Sequence, residues 1–338
     1  MLGSSPTPLC RAYDLAMLDL DGVVYLSGRA VDGAPAAIAS ARDAGMRLAF
    51  VTNNASRTPE AVAENLVHLG VPAWPEDVVT SAQAAARILA ARLPPESRVL
   101  ALGGEGLAKA LLEEGLVPVR SAEDDAVAAV VTGYGPEVRW GDLMRAAVRI
   151  RDGLWWVASN TDLTLPTSFG PAPGHGVLVR MLAEFTGVTP EVAGKPARPL
   201  LDEAIRRVGG RRPLMVGDRL DTDIEGARQA GVASLLVLTG VTGLAELVAA
   251  DTPHRPTYVA SGLTGLLRAH PEPTLTADGA DCGGWRAVVA EGRLSVGGSG
   301  TPDDWWRAAA TAAWAALDRT GTPVDVGGLA DGPDTLAP

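Results

Sequence analysis

One pattern occurs twice in the chain and limits its fold more than any other feature. Leu15 to Leu18 is a short apolar run ending at Asp19, Arg47 to Val51 is another ending at Thr52, and a helix-like stretch from Ala34 to Ala44 joins them. Parallel strands need a crossover of about this length, so the segment is a β-α-β unit. The alternation returns at Pro213 to Val216, with a helix from Thr222 to Ala230 and then Ala233 to Leu238. Strands apolar on both faces belong to a parallel sheet covered by helices, which makes the fold class α/β.

Between these halves, Ser81 to about Gly187 carries strand and helix signals of its own: Arg98 to Leu102, Leu107 to Glu114, Ala126 to Thr132, Leu143 to Asp152 and Leu154 to Ala158. It reads as a second α/β domain inserted into the first. The expected division is a core of residues 1–80 plus 188–269, an insert of residues 81–187, an extension of residues 270–320 and a disordered tail of residues 321–338. The extension holds a hairpin, Trp285 to Ala290 and Arg293 to Val296 turning at Glu291-Gly292, followed by a helix from Asp303 to Arg319. Trp285, Trp305, Trp306 and Trp314 fall here and are expected to bury a small satellite core.

At 338 residues, 47% of them hydrophobic and 20% charged, the chain has material for two or three units with a real core. Its net charge is −11, with no Lys and Arg cluster to neutralise a phosphate backbone, so nucleic acid is excluded as a partner. An acidic protein that handles an anionic substrate must draw positive potential from a metal, one or two cations or a helix N-terminus. Cys10 and Cys282 are too few for a disulfide framework or a thiolate metal site. No apolar run approaches the roughly 18 residues of a membrane helix, and Met1 to Asp14 lacks the basic start and apolar centre of a leader. The expectation is a cytoplasmic chain with no membrane span.

Four segments, each at the end of an expected strand, carry the chemistry; in open parallel sheets ligands bind outside the carboxyl ends of the strands. The first is Asp19-Leu20-Asp21-Gly22. Two residues apart in extended chain, its carboxylates point the same way, so one can attack while the other handles protons. A calcium loop would need a third oxygen ligand and a Glu where this chain has Val23 and Ala30. The second is Thr52-Asn53-Asn54, whose hydroxyl, carboxamide and N–H groups can hold phosphate oxygens or simply cap a helix beginning near Thr58.

The third is Gly194-Lys195-Pro196. A P-loop is excluded by Thr189 and Pro196, but Lys195 precedes a helix expected to start near Pro196, so ammonium and helix end could both face an anion. The fourth is Gly217-Asp218 with Asp221 and Asp223. Asp218 sits at a strand end as a magnesium ligand would, Asp223 one short turn on in a supporting place, and Asp221 suits a helix start.

In this order the four motifs resemble those of the haloacid dehalogenase-like superfamily, over roughly Leu15 to Leu267. Thr52-Asn53-Asn54 and the position of the insert are similar to its subclass IIA, the NagD-like phosphatases. The resemblance implies a Rossmann-like, doubly wound core with an α/β cap, and a Mg²⁺-dependent phosphomonoester hydrolase working through an aspartyl-phosphate. It implies Asp19 as nucleophile and Asp21 as general acid, then base. Mg²⁺ would be held by the Asp19 carboxylate, the Asp21 carbonyl and Asp218, with Asp223 supporting, and phosphate by Thr52, Asn53 and Lys195. Asp21 must carry a proton when the leaving oxygen departs, so burial beside Asp19 is expected to raise its pKa.

Substrate choice is expected in the cap, with Tyr134, Asn160, Asp162 and His175 as candidates from polar or glycine-rich loops that are equally compatible with ordinary turns, and with Asn54 of the core as a further candidate. The stretches Val79 to Gln83 and Gly217 to Gly226, with a C-terminal appendage, are similar to bacterial glycerol 3-phosphate phosphatases. The partner expected is a small phosphorylated metabolite, with phosphoglycolate, sugar phosphates, nucleotides and pyridoxal phosphate as alternatives to glycerol 3-phosphate. A receiver domain shares the acceptor Asp, Mg²⁺, Thr and Lys but lacks an inserted cap. A phosphotransferase or phosphomutase, or a silent phospho-regulated protein, stays open on sequence. Homodimerisation or bracing of the core is the role expected of the appendage.

Overall fold

The computed structural model describes residues 1–121, 126–167, 169–329 and 332. They form two compact units: residues 1–49, 67–72 and 208–338 in the first, and residues 50–66 and 73–207 in the second. The strand Arg47–Thr52 runs from one into the other.

In the first unit the parallel strands Tyr258–Ala260, Ala233–Val237, Pro213–Gly217 and Leu15–Leu18 lie side by side in that order. Leu15–Leu18 is buried throughout, as expected for a strand covered on both faces. The helix Ala34–Asp43 turns Ala34, Ala37, Ile38 and Ala41 inward, the i, i+3, i+4, i+7 stripe of an amphipathic helix.

The C-terminal extension belongs to this unit and is larger than a hairpin. Thr274–Leu275, Gly279–Cys282, Trp285–Ala290 and Arg293–Gly298 form a four-stranded antiparallel sheet, and the helix Pro302–Thr320 packs on it and on Tyr258–Ala260. The turn at Glu291-Gly292 has φ of 51° and 76°, the left-handed pair that a two-residue hairpin loop requires. Trp305, Trp306 and Trp314 share one buried cluster with Leu236, Leu244 and Val259 of the parallel-sheet region. They therefore pack together with residues of the parallel-sheet region rather than forming a satellite apart, which corrects the expectation.

The expected disordered tail is also corrected as far as residue 329. Asp325 receives the Leu294 N–H at 2.9 Å and donates its own to Gly292 at 2.8 Å, and Val324 is buried. Residues 330, 331 and 333–338 lie outside the described residues.

The second unit holds a five-stranded parallel sheet in the order Glu191–Val192, Trp155–Ala158, Val127–Thr132, Arg98–Leu102, Val117–Val119. Trp156 is buried within it and donates its indole N–H to Thr132 Oγ1 at 3.0 Å, the partner a buried tryptophan needs. Phe50–Thr52, the end of its strand, pairs in parallel with Val78–Thr80. This unit exceeds the expected insert of residues 81–187 at both ends, because those pairings and the edge strand Glu191–Val192 carry it outward. Among the described residues, no helix is long and apolar enough to cross a membrane.

Candidate active site

Two strand ends place the acidic groups. Leu15–Leu18 and Pro213–Gly217 are parallel neighbours with Leu18 opposite Val216, and Asp19 continues the ladder by donating its N–H to Val216 O at 2.9 Å. Asp19 and Asp218 thus leave the sheet side by side at its carboxyl edge, where such folds bind ligands. The expected helix from Thr222 is instead a wide π turn, Leu220–Ile224, followed by the helix Glu225–Ala230. That turn returns Asp223 toward the strand end, and the Arg219 N–H donates to Asp223 Oδ2 at 3.1 Å. One carboxylate oxygen from each of Asp19, Asp218 and Asp223 lies within 4.8 Å of the others. Asp218 and Asp223 are buried and Asp19 is half-buried.

The backbone is shaped around Asp218. Val241 donates its N–H to Asp218 Oδ2 at 2.7 Å, Thr242 donates to the Asp218 carbonyl at 3.2 Å, and Thr239 Oγ1 donates to Gly22 O at 2.6 Å. Gly22 has φ of +81°, and a Cβ there would stand 2.5 Å from Asp218 Oδ2. One on Gly240 would run into the same carboxylate, and one on Gly217 into Asp223. Three carboxylates this close repel one another in a poorly solvated site unless a cation lies among them. An all-oxygen, carboxylate donor set suits a hard divalent ion, so these residues fit Mg²⁺.

Asp21 departs from expectation. It is exposed, so the burial expected to raise its pKa is absent. Its Oδ2 accepts from the Tyr25 hydroxyl at 3.4 Å, and the Gly22 N–H donates to Tyr25 O at 2.8 Å, closing the turn after Asp19.

In the second unit, Asn53, Asn160, Asp162, His175 and Lys195 are drawn into one polar assembly. Asn53 Nδ2 donates to Lys195 O at 2.9 Å and to Asp162 Oδ1 at 3.1 Å, while Asn53 Oδ1 accepts the Lys195 N–H at 2.8 Å. The Asn53 carbonyl accepts from Ser81 Oγ at 2.6 Å and from Asn160 Nδ2 at 2.7 Å. Thr52 is buried, and its hydroxyl accepts the Asn54 N–H at 3.1 Å. Asn54 turns the chain, taking both the N–H and the hydroxyl of Ser56 at 2.8 Å ahead of the helix Pro59–His68. Both side-chain donors of Asn53 are therefore engaged.

Lys195 is 2% exposed. The helix after it starts at Pro199, so Lys195 precedes the first turn by more than was expected at Pro196. His175 opens the helix His175–Thr186, its Nδ1 lies 2.9 Å from Asn160 O, and burial pushes its pKa down to about 4, leaving the ring neutral. Among the described residues, no side-chain hydrogen bond draws Tyr134 into this assembly; its carbonyl accepts the Gly104 N–H at 3.1 Å. Sequence reasoning passed over Ser81 and the run Thr239 to Thr242. The latter follows the strand Ala233–Val237, and the rule that singled out the other strand ends applies to it equally.

A family profile described as haloacid dehalogenase-like hydrolase matches residues 16–117, and a related HAD-hydrolase-like profile matches residues 192–266. The chain is 46% identical over 296 residues to D-glycerol 3-phosphate phosphatase of Mycobacterium tuberculosis, covering 88% of this chain and 82% of that one. It is 36% identical over 250 residues to acid sugar phosphatase of Staphylococcus aureus, covering 73% and 94%. It superposes on the crystal structure of a glycerol phosphate phosphatase from M. tuberculosis in complex with magnesium with a TM-score of 0.83 and 42% identity, covering 94% of each chain. The chain belongs to the haloacid dehalogenase-like hydrolases. Within that family it is a phosphatase, a phosphoric monoester hydrolase of the NagD-like kind.

Proposed function

We propose that this phosphatase dephosphorylates a small phosphorylated metabolite in the cytoplasm, with glycerol 3-phosphate as its preferred substrate. The observation that carries the reading is the trio Asp19, Asp218 and Asp223, with carboxylate oxygens within 4.8 Å at the ends of neighbouring parallel strands. The relative in M. tuberculosis named for glycerol 3-phosphate supports the substrate, and two free, buried cysteines suit a reducing compartment.

In this reading a carboxylate oxygen of Asp19 attacks phosphorus, the ester P–O bond breaks, and the departing alkoxide takes a proton from Asp21. The same Asp21, now ionised, removes a proton from water as that water attacks the aspartyl-phosphate. The Asp19 O–P bond then breaks, and inorganic phosphate leaves. Lys195, Thr52 and the Asn53 N–H bind the phosphoryl oxygens. The carboxylates of Asp19 and Asp218 and the Asp21 carbonyl, with Asp223 supporting, would hold Mg²⁺, which when bound would supply positive charge opposite the transferring group.

The test is phosphate release over a panel of phosphorylated metabolites with Mg²⁺ and no added acceptor alcohol, including both enantiomers of glycerol 3-phosphate. A glycerol phosphate is expected to rank first. Glycerol phosphates at background with other esters cleaved would end the substrate assignment, and strict dependence on an acceptor would make the enzyme a transferase. A homodimer is part of this proposal, to be read from the mass in solution.

A further inference from the structure

We propose that Asn53 is a positioning residue for Lys195, gripping that residue's backbone from both sides and so fixing where its ammonium is carried, rather than touching phosphate with its own side chain. The inference rests on the reading above, in which Lys195 binds the phosphoryl group. The Asn53 carboxamide meets the Lys195 N–H at 2.8 Å and the Lys195 carbonyl at 2.9 Å, pairing with one residue's backbone as a neighbouring strand would. Its second N–H goes to Asp162 Oδ1 at 3.1 Å, which stops the amide from turning. Asn53 is itself pinned through its carbonyl by Ser81 and Asn160, and Asn160 Oδ1 takes the Asp162 N–H at 3.1 Å. Residues 142 positions apart in the chain are thereby locked in one register.

The preceding glycine belongs to the same device. A Cβ on Gly194 would stand 2.6 Å from Asn53 Oδ1, 2.6 Å from Ser159 O and 3.1 Å from Asn160 Cβ. A real Cβ does not approach heavy atoms to 2.6 Å, so Gly194 is the residue that lets Asn53 close on Lys195. Lys195 has a long, flexible stem, and at 2% exposure it needs its backbone held if the ammonium is to meet charge that develops in the transition state.

The experiment compares wild type with Asn53→Ala, Gly194→Ala and the double variant. Pulsed reductive methylation with formaldehyde and cyanoborohydride, read at Lys195 by mass spectrometry, reports on the lysine without turnover. Phosphate release reports kcat and KM separately. In Asn53→Ala, Lys195 is expected to be labelled roughly tenfold faster as its segment opens. In the same variant kcat should fall about 100-fold with KM changed less, the signature of a misplaced group rather than a lost ground-state contact. Gly194→Ala should do the same, and the two substitutions together should cost less than the sum of their separate effects.

A raised KM and weaker inhibition by inorganic phosphate with unchanged Lys195 labelling would make Asn53 a direct phosphate ligand and overturn the proposal. Additive single-variant effects would overturn it as well. Should Asn53→Ala not fold by circular dichroism, Asn53→Ser, too short to reach the Lys195 backbone, serves in its place. A wild-type protein that cleaves no phosphomonoester would sink the functional reading, whereas unchanged labelling in both single variants would sink this one.

Discussion

Val241 donates its backbone N–H to Asp218 Oδ2 at 2.7 Å, and the place a side chain would take on the residue before it, Gly240, is filled by that same carboxylate. One contact aims the acid and the other leaves no room to miss. Gly240→Ala should therefore push Asp218 off its position and weaken Mg²⁺ binding by about 10- to 100-fold, the usual cost of disturbing the groups that orient a metal ligand. Isothermal titration of the purified variant with Mg²⁺ measures this directly, and affinity equal to wild type would refute it.

Asp19→Asn removes the attacking oxygen and one of three crowded negative charges. Phosphate release should drop to background because an amide does not attack phosphorus. With metal chelated, the same variant should melt higher than wild type, by about 2 °C for each relieved kcal/mol or so, since repulsion among the carboxylates falls. Calorimetry in chelator checks the second effect. A variant that still turns over would remove Asp19 from the nucleophile's role.

His175 links stability to pH. Burial holds its pKa near 4 in the folded protein against 6.5 ordinarily, so between those values the unfolded chain binds more protons. Stability must then rise with pH across that window and be lost as pH falls from 6.5 toward 4, by about 3 kcal/mol in all. Urea unfolding at pH 7 and pH 5 should show the slope in wild type and a shallower one in His175→Gln; equal slopes would reject the assignment.

Trp314 ties the last helix to the helix Leu244–Val248. It is 2% exposed, gives its indole N–H to Leu247 O at 2.8 Å, and lies under the Arg255 guanidinium, which itself pairs with Asp318 at 2.7 Å. Trp314→Ala should cost about 3–5 kcal/mol, as large-to-small changes in a packed core do. The measurement is the urea midpoint at unchanged m-value. A loss below about 1 kcal/mol would mean that the extension is not part of the folding unit.

Much of the architecture is legible from local spacing. Leu15 to Leu18 and Pro213 to Val216 announce strands because both faces are apolar, and Asp19 and Asp218 stand out as the first charges after them. The Glu291-Gly292 turn and the helix after Pro302 are readable for the same kind of reason, since each is specified by adjacent residues. The edge strand Glu191–Val192 is not, because two residues carry no periodicity, and it lies in the part of the second unit beyond the expected insert at its C-terminal end. Thr274–Leu275 escapes notice in the same way.

The sequence by itself determined which elements form and which chemical groups stand at their ends, because helix and strand periods and turn residues act over a few neighbours. Only the tertiary structure decided what those groups do to one another. It drew Asp223 back toward Asp218 through a π turn, joined Asn53 to a backbone 142 residues away, and made Gly240 necessary by setting a carboxylate where its side chain would be. Hydrogen bonds and excluded volume depend on distance in space, and distance in space between remote segments is fixed only when the core packs.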